Sequence, residues 1–225
     1  MGSSVAPARE QSRSAVASNP PPRECDAAGT ERILAATEQV LREAGHGAVS
    51  LRQIADRAGV SKSLVLYHFA SKEHLFAELQ LRVYGRLAQR VKEAAAPAGS
   101  LSERARVALD TLIATVRGGN DMAVHAMLDA RALSSPRAAP HVRRMRRELR
   151  ALLYRTMREI FGSDASHLPV TLEAAADMLW AALTGLGIQS VIDDSDEELE
   201  RGFDSLRAVT ALAFGAADLR REERR

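Results

Sequence analysis

Two lysines stand where a helix gains nothing from them. Among 31 basic residues only Lys62, Lys72 and Lys92 are lysine. Lys62 follows Ser61 and Lys72 follows Ser71, each in the first turn of a helix. A cation there opposes the helix dipole by roughly a few tenths of a kcal/mol, yet the same backbone N–H groups attract phosphate. Two solvated surface lysines are the plain alternative; the surrounding residues favour the phosphate. Ser50-Leu51-Arg52-Gln53 is a capping box that opens a short helix to about Ala58. Gly59 and Val60 form a turn, and Ser61 caps a third helix to about His68. Two short helices across a glycine turn make a helix-turn-helix, whose second member can enter the major groove of double-stranded DNA. Val65 and Phe69 lie one turn apart and are expected inward, leaving Lys62, Ser63, Leu66 and Tyr67 on or beside the outer face.

No other spacing organises a reaction. The sequence has no Gly-rich phosphate loop, nucleophile elbow, HExxH or CxxC, so no enzyme, cofactor or metal site is expected. A small helical enzyme stays as the minor alternative. His125 and Asp129 share a helix face at i,i+4, but two ligands are not a metal site. The acidic run Asp193–Glu200 is expected to be a solvated helix start, where carboxylates favour the dipole. The basic run His141–Arg158 alternates with apolar residues and is expected to line a solvated or ion-paired face, with a second DNA contact as the minor alternative.

The elements that must position these groups are all helical. Residues 1–28, with Pro20-Pro21-Pro22 and no periodicity, form an expected disordered arm. Its Arg9, Arg13 and Arg23 are offset by Glu10, Glu24 and Asp26. From Thr30, a candidate cap, helical periodicity runs to about Arg220. The first helix carries Ile33, Ala36, Val40 and Leu41 inward and ends at Gly45. Ser71 opens a long fourth helix to Pro97, and Ser100-Leu-Ser-Glu103 boxes a fifth to Gly118-Gly119. A sixth runs from Asn120 to about Leu133, a seventh from about His141 to Phe161, an eighth from Pro169 to about Ile192. Ser195 opens the last. About nine helices and no strand make an all-α fold, consistent with only 4% aromatic residues. One cysteine, Cys25, excludes an internal disulfide and fits a reducing, cytoplasmic setting. No apolar run near the roughly 18 residues of a membrane span is expected. The net charge of +2 conceals opposites: a basic middle, an acidic last third, and zero over residues 30–80.

The segment Thr30…Ile33-Leu34-Ala35-Ala36…Ser50-Leu51-Arg52-Gln53-Ile54-Ala55-Asp56-Arg57-Ala58-Gly59-Val60-Ser61-Lys62…His68-Phe69-Ala70-Ser71-Lys72-Glu73-His74-Leu75-Phe76 resembles the DNA-binding domain of the TetR family of bacterial transcriptional regulators. The resemblance implies a disordered arm at 1–28, a helix-turn-helix domain at 27–75 and a helical ligand-binding and dimerisation domain at 76–225. It implies a homodimeric repressor that leaves a palindromic operator when a small-molecule effector binds, with an activator of the same fold as the alternative. DNA contacts are expected from Ser50, Arg52, Gln53, Ser61, Lys62, Ser63, Leu66, Tyr67, His68 and Lys72. Leu66 occupies a slot where the family usually carries Tyr, and Tyr67 follows it. His46, in a usually aromatic position, is expected to pack at the domain edge.

For the effector pocket the resemblance points between the fourth and eighth helices. Candidates there are Tyr84, Met122, His125, Met127, Met145, Tyr154, Met157, Met178 and Trp180, although Met and aromatics at helical spacing are also ordinary core. The last two helices are rich in small residues, among them Ala174, Ala181, Gly185, Ala208, Ala211 and Gly215. Close helix approach there suits a four-helix interface with a second subunit.

Overall fold

The computed structural model describes residues 24–44, 49–117, 120–192 and 196–223. The arm's arginines, Gly45, His46, Gly118-Gly119, Asp193 and Ser195 lie outside them. The described residues form nine α-helices and a 3-10 turn, with no strand. α1 (Glu24–Ala44), α2 (Leu51–Ala58) and α3 (Lys62–His68) make a small head, joined by α4 (Lys72–Ala95) to a body of five further helices. These are α5 (Leu101–Arg117), α6 (Asn120–Ser134), α7 (Ala139–Phe161), α8 (Leu172–Ile192) and α9 (Asp196–Glu222).

Local chemistry sets most boundaries in the head. The Ser50 hydroxyl accepts from the Gln53 N–H at 3.2 Å while the Gln53 side chain accepts from the Ser50 N–H at 2.8 Å. α2 ends at Gly59, whose φ of 65° is the left-handed conformation that a side chain would strain. Ser61 and Ser71 accept from the N–H groups of Leu64 and His74, both at 3.1 Å. Val65 and Phe69 turn inward onto Ile33, Ile54, Leu75 and Phe76, all essentially buried.

Two boundaries and one composition reading differ from expectation. α1 begins at Glu24 rather than at Thr30, because nothing in Cys25-Asp-Ala-Ala breaks a helix, and Gly29 packs against the His68 ring. α8 begins after Pro169, with Thr171 accepting from the Ala174 N–H at 3.2 Å, and the 3-10 turn Gly162–His167 precedes it. α8 is also long and apolar enough, by length and composition alone, to cross a membrane. The expectation that no such run exists overlooked a helix whose apolarity is spread over alanines and glycines. Here it packs on α6, α7, α5 and α9.

The start of α5 is capped from across the fold. Ser100 accepts from the Glu103 N–H, but the Glu103 carboxylate turns to Gly99 instead of closing the box. Asp218 on α9 fills the gap. Its carboxylate accepts from the Leu101 N–H (2.9 Å), the Ser102 N–H (2.9 Å) and the Ser102 hydroxyl (2.6 Å). Burial alone would raise the Asp218 carboxyl; these hydrogen bonds outweigh it and hold the group below its usual range. Asp218→Ala is therefore expected to lower unfolding stability by about 1–2 kcal/mol. Asn, which still accepts, should recover part of it. Identical denaturation curves for wild type and Asp218→Ala would remove the residue from this role.

Ion pairs fasten α1 to α4, and α4 to α6 and α7. Glu31 pairs with Arg82, Glu38 with Arg86 (2.8 Å), Glu73 with Arg131 (3.0 Å) and Glu78 with Arg144 (2.9 Å). Beside them His74 of α4 stacks on His141 of α7, ring centres 4.3 Å apart and planes 20° from parallel. The Ala70 N–H donates to His74 Nδ1 at 3.1 Å, which leaves the ring proton on Nε2, facing Glu78 at 3.4 Å. That bond, with Arg144, holds the Glu78 carboxyl below its usual range against burial.

Candidate functional site

Ten large apolar side chains are exposed among the described residues, and they concentrate in two places. Leu66 and Tyr67 lie on α3. Val170, Met178, Val191, Ile192, Val209, Leu212 and Leu219 lie on or beside α8 and α9. Large apolar groups left facing water in this way mark surfaces built for partners.

The first surface is the outer face of the head. Lys62 and Ser63 are exposed on α3, and Tyr67, 73% exposed, projects further than Leu66 at 44%. Ser50, Arg52 and Gln53 are exposed at the start of α2, and Ser61 at the start of α3. Arg52 is only loosely held, 4.0 Å from Asp56. Lys72 is half-buried, with its ammonium 5.3 Å from the centre of the Phe76 ring. Burial depresses its pKa, and the nearby Glu73 carboxylate opposes that. His68 turns the other way: its Nδ1 lies 3.2 Å from the Thr30 hydroxyl on α1. The arrangement is a short helix raised on a packed base, with cations at its own start and at the start of α4.

The second surface is a pair of outward stripes. On α8, Ala174, Met178, Ala181, Gly185 and Ile192 are exposed at helical spacing. On α9, Ala208, Leu212 and Leu219 are exposed, flanked by the half-buried Gly215 and Ala216. Neither stripe carries a charge.

Behind these helices lies an apolar cavity of about 280 Å3, walled by α4 to α9. Its wall follows α5 from Ala105 to Val116 and α7 from Leu149 to Phe161, roughly 17 Å at 1.5 Å per residue. Of the nine side chains expected in a pocket, Tyr84, Met122, Met157, Met178 and Trp180 are in the wall. Met145 and Met127 instead pack in or against the core that joins head and body. Tyr154 bonds to Glu173 and packs beside Met157 and Phe161.

His125 sits directly behind the wall, edge-on to Tyr84 and Trp180 at 6.2 and 5.5 Å. It is 1% exposed, and burial keeps the ring neutral against the pull of Asp129. Neither ring nitrogen has a hydrogen-bond partner among the described residues, the Asp129 carboxylate standing 3.8 Å away and bonded to Arg146. No cluster of three metal-ligating side chains occurs among the described residues. In the wall itself the Tyr84 hydroxyl donates to the Met122 thioether at 3.2 Å. Gly187 makes room for that thioether: a Cβ there would come within 2.5 Å of the Met122 methyl. Burial, reinforced by Asp121 and Asp129, pushes the Tyr84 phenol well above its usual range. Asp121, also in the wall, is raised by burial and by Glu38.

The sequence missed most of this wall. Leu109, Leu112, Leu153, Leu183 and Leu206 line it, yet nothing in their spacing separates them from ordinary core. Elsewhere, among the described residues, three of the seven arginines of α7 form ion pairs, Arg144 with Glu148 at 2.7 Å, Arg146 with Asp129 at 2.8 Å and Arg150 with Asp177 at 2.6 Å.

Comparison with known proteins agrees with this geometry. Residues 33–79 match the family model described as bacterial regulatory proteins, tetR family. A curated relative, the HTH-type transcriptional activator FasR of Mycolicibacterium smegmatis, is 33% identical over 79 residues, 35% of this chain and 36% of that protein. The match thus spans about a third of the relative's length. Among solved structures, one from Rhodococcus sp. RHA1 superposes with a TM-score of 0.66 at 18% identity, over 84% of this chain and 98% of that one. A TetR transcription regulator from Haloarcula marismortui gives 0.61 at 23% identity, over 84% and 98%. The regulator FadR from Bacillus subtilis, in complex with stearoyl-CoA, gives 0.58 at 18% identity, over 80% and 97%. The raised helix-turn-helix, residues 33–79, thus matches the tetR family of bacterial regulatory proteins, and the helical body behind it shares the fold of these solved structures.

Proposed function

We propose that the protein is a homodimeric repressor that grips a palindromic operator in the cytoplasm and releases it when a small molecule fills the body cavity. The observation that carries the proposal is the pairing of two partnerless surfaces with one apolar void. α3 presents Lys62, Ser63, Leu66 and Tyr67 to a major groove. Ser50, Arg52, Gln53, Ser61 and Lys72 supply backbone contacts around it. His68 serves the interface from within, by holding α3 against α1. The uncharged stripes of α8 and α9 pair with their copies, and the dimer sets the spacing of two half-sites.

The cavity lies along α4, the helix that also carries Lys72, so occupancy at Tyr84 and contact at the DNA share one element. The Bacillus subtilis FadR holds stearoyl-CoA; here the apolar wall itself supports an apolar effector. FasR is an activator, which gives activation a specific claim as the second reading.

Fluorescence anisotropy with DNA from upstream of the protein's own gene tests the binding. Raising salt from about 50 to 200 mM should cost roughly 10³–10⁵ in affinity if 6–10 phosphates are contacted. Binding indifferent to salt would overturn the phosphate-driven interface. A reporter in a deletion strain then separates the signs: output rises if the protein represses and falls if it activates.

A further inference from the structure

The cavity wall is one-sided in its chemistry. None of its residues is Lys, Arg or His, and Asp121 is the one carboxylate among them. An anionic ligand group inside would have no counter-charge and would face Asp121. An unpaired charge moved from water into such a site costs several kcal/mol. The outer lining offers no cation either, because the wall residues that also face solvent include Val170, Met178 and Val209.

The shape is elongated: the wall runs for roughly 17 Å along α5 and α7.

The wall carries five hydroxyls, those of Tyr84, Thr115, Thr156, Thr184 and Thr210, and that of Tyr84 is poorly employed. The Thr115 hydroxyl is committed to the Thr111 carbonyl at 3.2 Å. The Tyr84 hydroxyl, by contrast, donates to a thioether, a weak acceptor. A carbonyl oxygen arriving beside Met122 is a better partner than the sulfur. Trp180 closes the same end with aromatic surface, backed by the His125 ring.

We infer that the ligand of this cavity is an uncharged, elongated apolar ester or thioester whose carbonyl accepts a hydrogen bond from Tyr84, and that the free carboxylate of the same chain is rejected. This rests on the reading of the cavity as the effector site. Trp180 is the only tryptophan in the chain and stands in the wall, so its emission reports occupancy directly.

The full-length protein is titrated with methyl dodecanoate, dodecanoate and dodecane at a pH of roughly 8, where the carboxylate is charged. Trp180 emission and Tm are followed together. Methyl dodecanoate is expected to shift the emission and raise Tm, and dodecanoate to bind at least roughly tenfold more weakly. Tyr84→Phe should weaken the ester about 2–10-fold and leave dodecane unchanged, since only the ester uses the hydroxyl. Carboxylate binding as tight as the ester, no ester binding, or an equal loss for ester and alkane in Tyr84→Phe overturns the inference. Operator affinity is measured separately in each mixture. Ester binding without operator release leaves the ligand class standing and overturns release; release by some other compound with no ester binding does the reverse.

Discussion

Replacing Leu212 with glutamate is expected to convert the protein to a monomer and weaken operator binding on the order of 10²–10⁴-fold, the gain normally supplied by linking two reading helices. Leu212 is 75% exposed in the middle of the α9 stripe, with Ala208 before it and Leu219 after. In an isolated subunit the substitution changes one solvated side chain for another, worth within about 0.5 kcal/mol. Packed against a second copy it places a charge in an apolar seam, at a cost of several kcal/mol. Folding should therefore survive while assembly fails. Light scattering on the eluting protein measures the mass, circular dichroism the fold, and anisotropy the affinity. A Leu212→Glu protein that remains dimeric moves the interface elsewhere.

At Lys72 the expected effect is large and indifferent to sequence. Lys72→Ala should weaken every DNA tested alike, on the order of tenfold, and reduce the salt slope by about one per subunit. The ammonium is held over the Phe76 ring at the start of α4, so it acts from a fixed position and loses little freedom on binding. Tyr67→Ala and Ser63→Ala should behave differently, redistributing preference among sequences by about 1–3 kcal/mol at the affected base pair. Affinities across a randomised operator library separate the two patterns. Altered preference at Lys72 with uniform loss at Tyr67 would exchange their roles.

What the sequence disclosed was local. The caps at Ser50, Ser61 and Ser71, the turn at Gly59 and the inward pair Val65 and Phe69 each depend on residues within about four positions of one another. Periodicity and capping rules reach that far. Asp218 capping α5 lay beyond them, since its partners are more than a hundred residues away. The cavity was half legible for a related reason. Met145 and Met157 have the same chemistry and lie about three turns apart on one helix, yet one is sealed in the core and the other lines the void. Only the packing of α5, α8 and α9 decides between them. His68 shows the converse: one turn from Leu64 on a helix with an outer face, it was claimed by Thr30 across a fold that spacing does not reveal.

The ion pairs along α4 alter how the charge of the head is to be weighed. Counted along the chain, residues 30–80 sum to zero. Glu31, Glu38, Glu73 and Glu78, however, are each matched by an arginine from beyond that segment, Arg82, Arg86, Arg131 and Arg144. With these carboxylates matched from outside, residues 30–80 meet phosphate with a net positive sign. That sign is on loan from residues later in the chain. A fragment trimmed to residues 30–80 would keep every groove-facing side chain and still be electrostatically neutral, a poor stand-in for the protein when DNA affinity is the quantity sought.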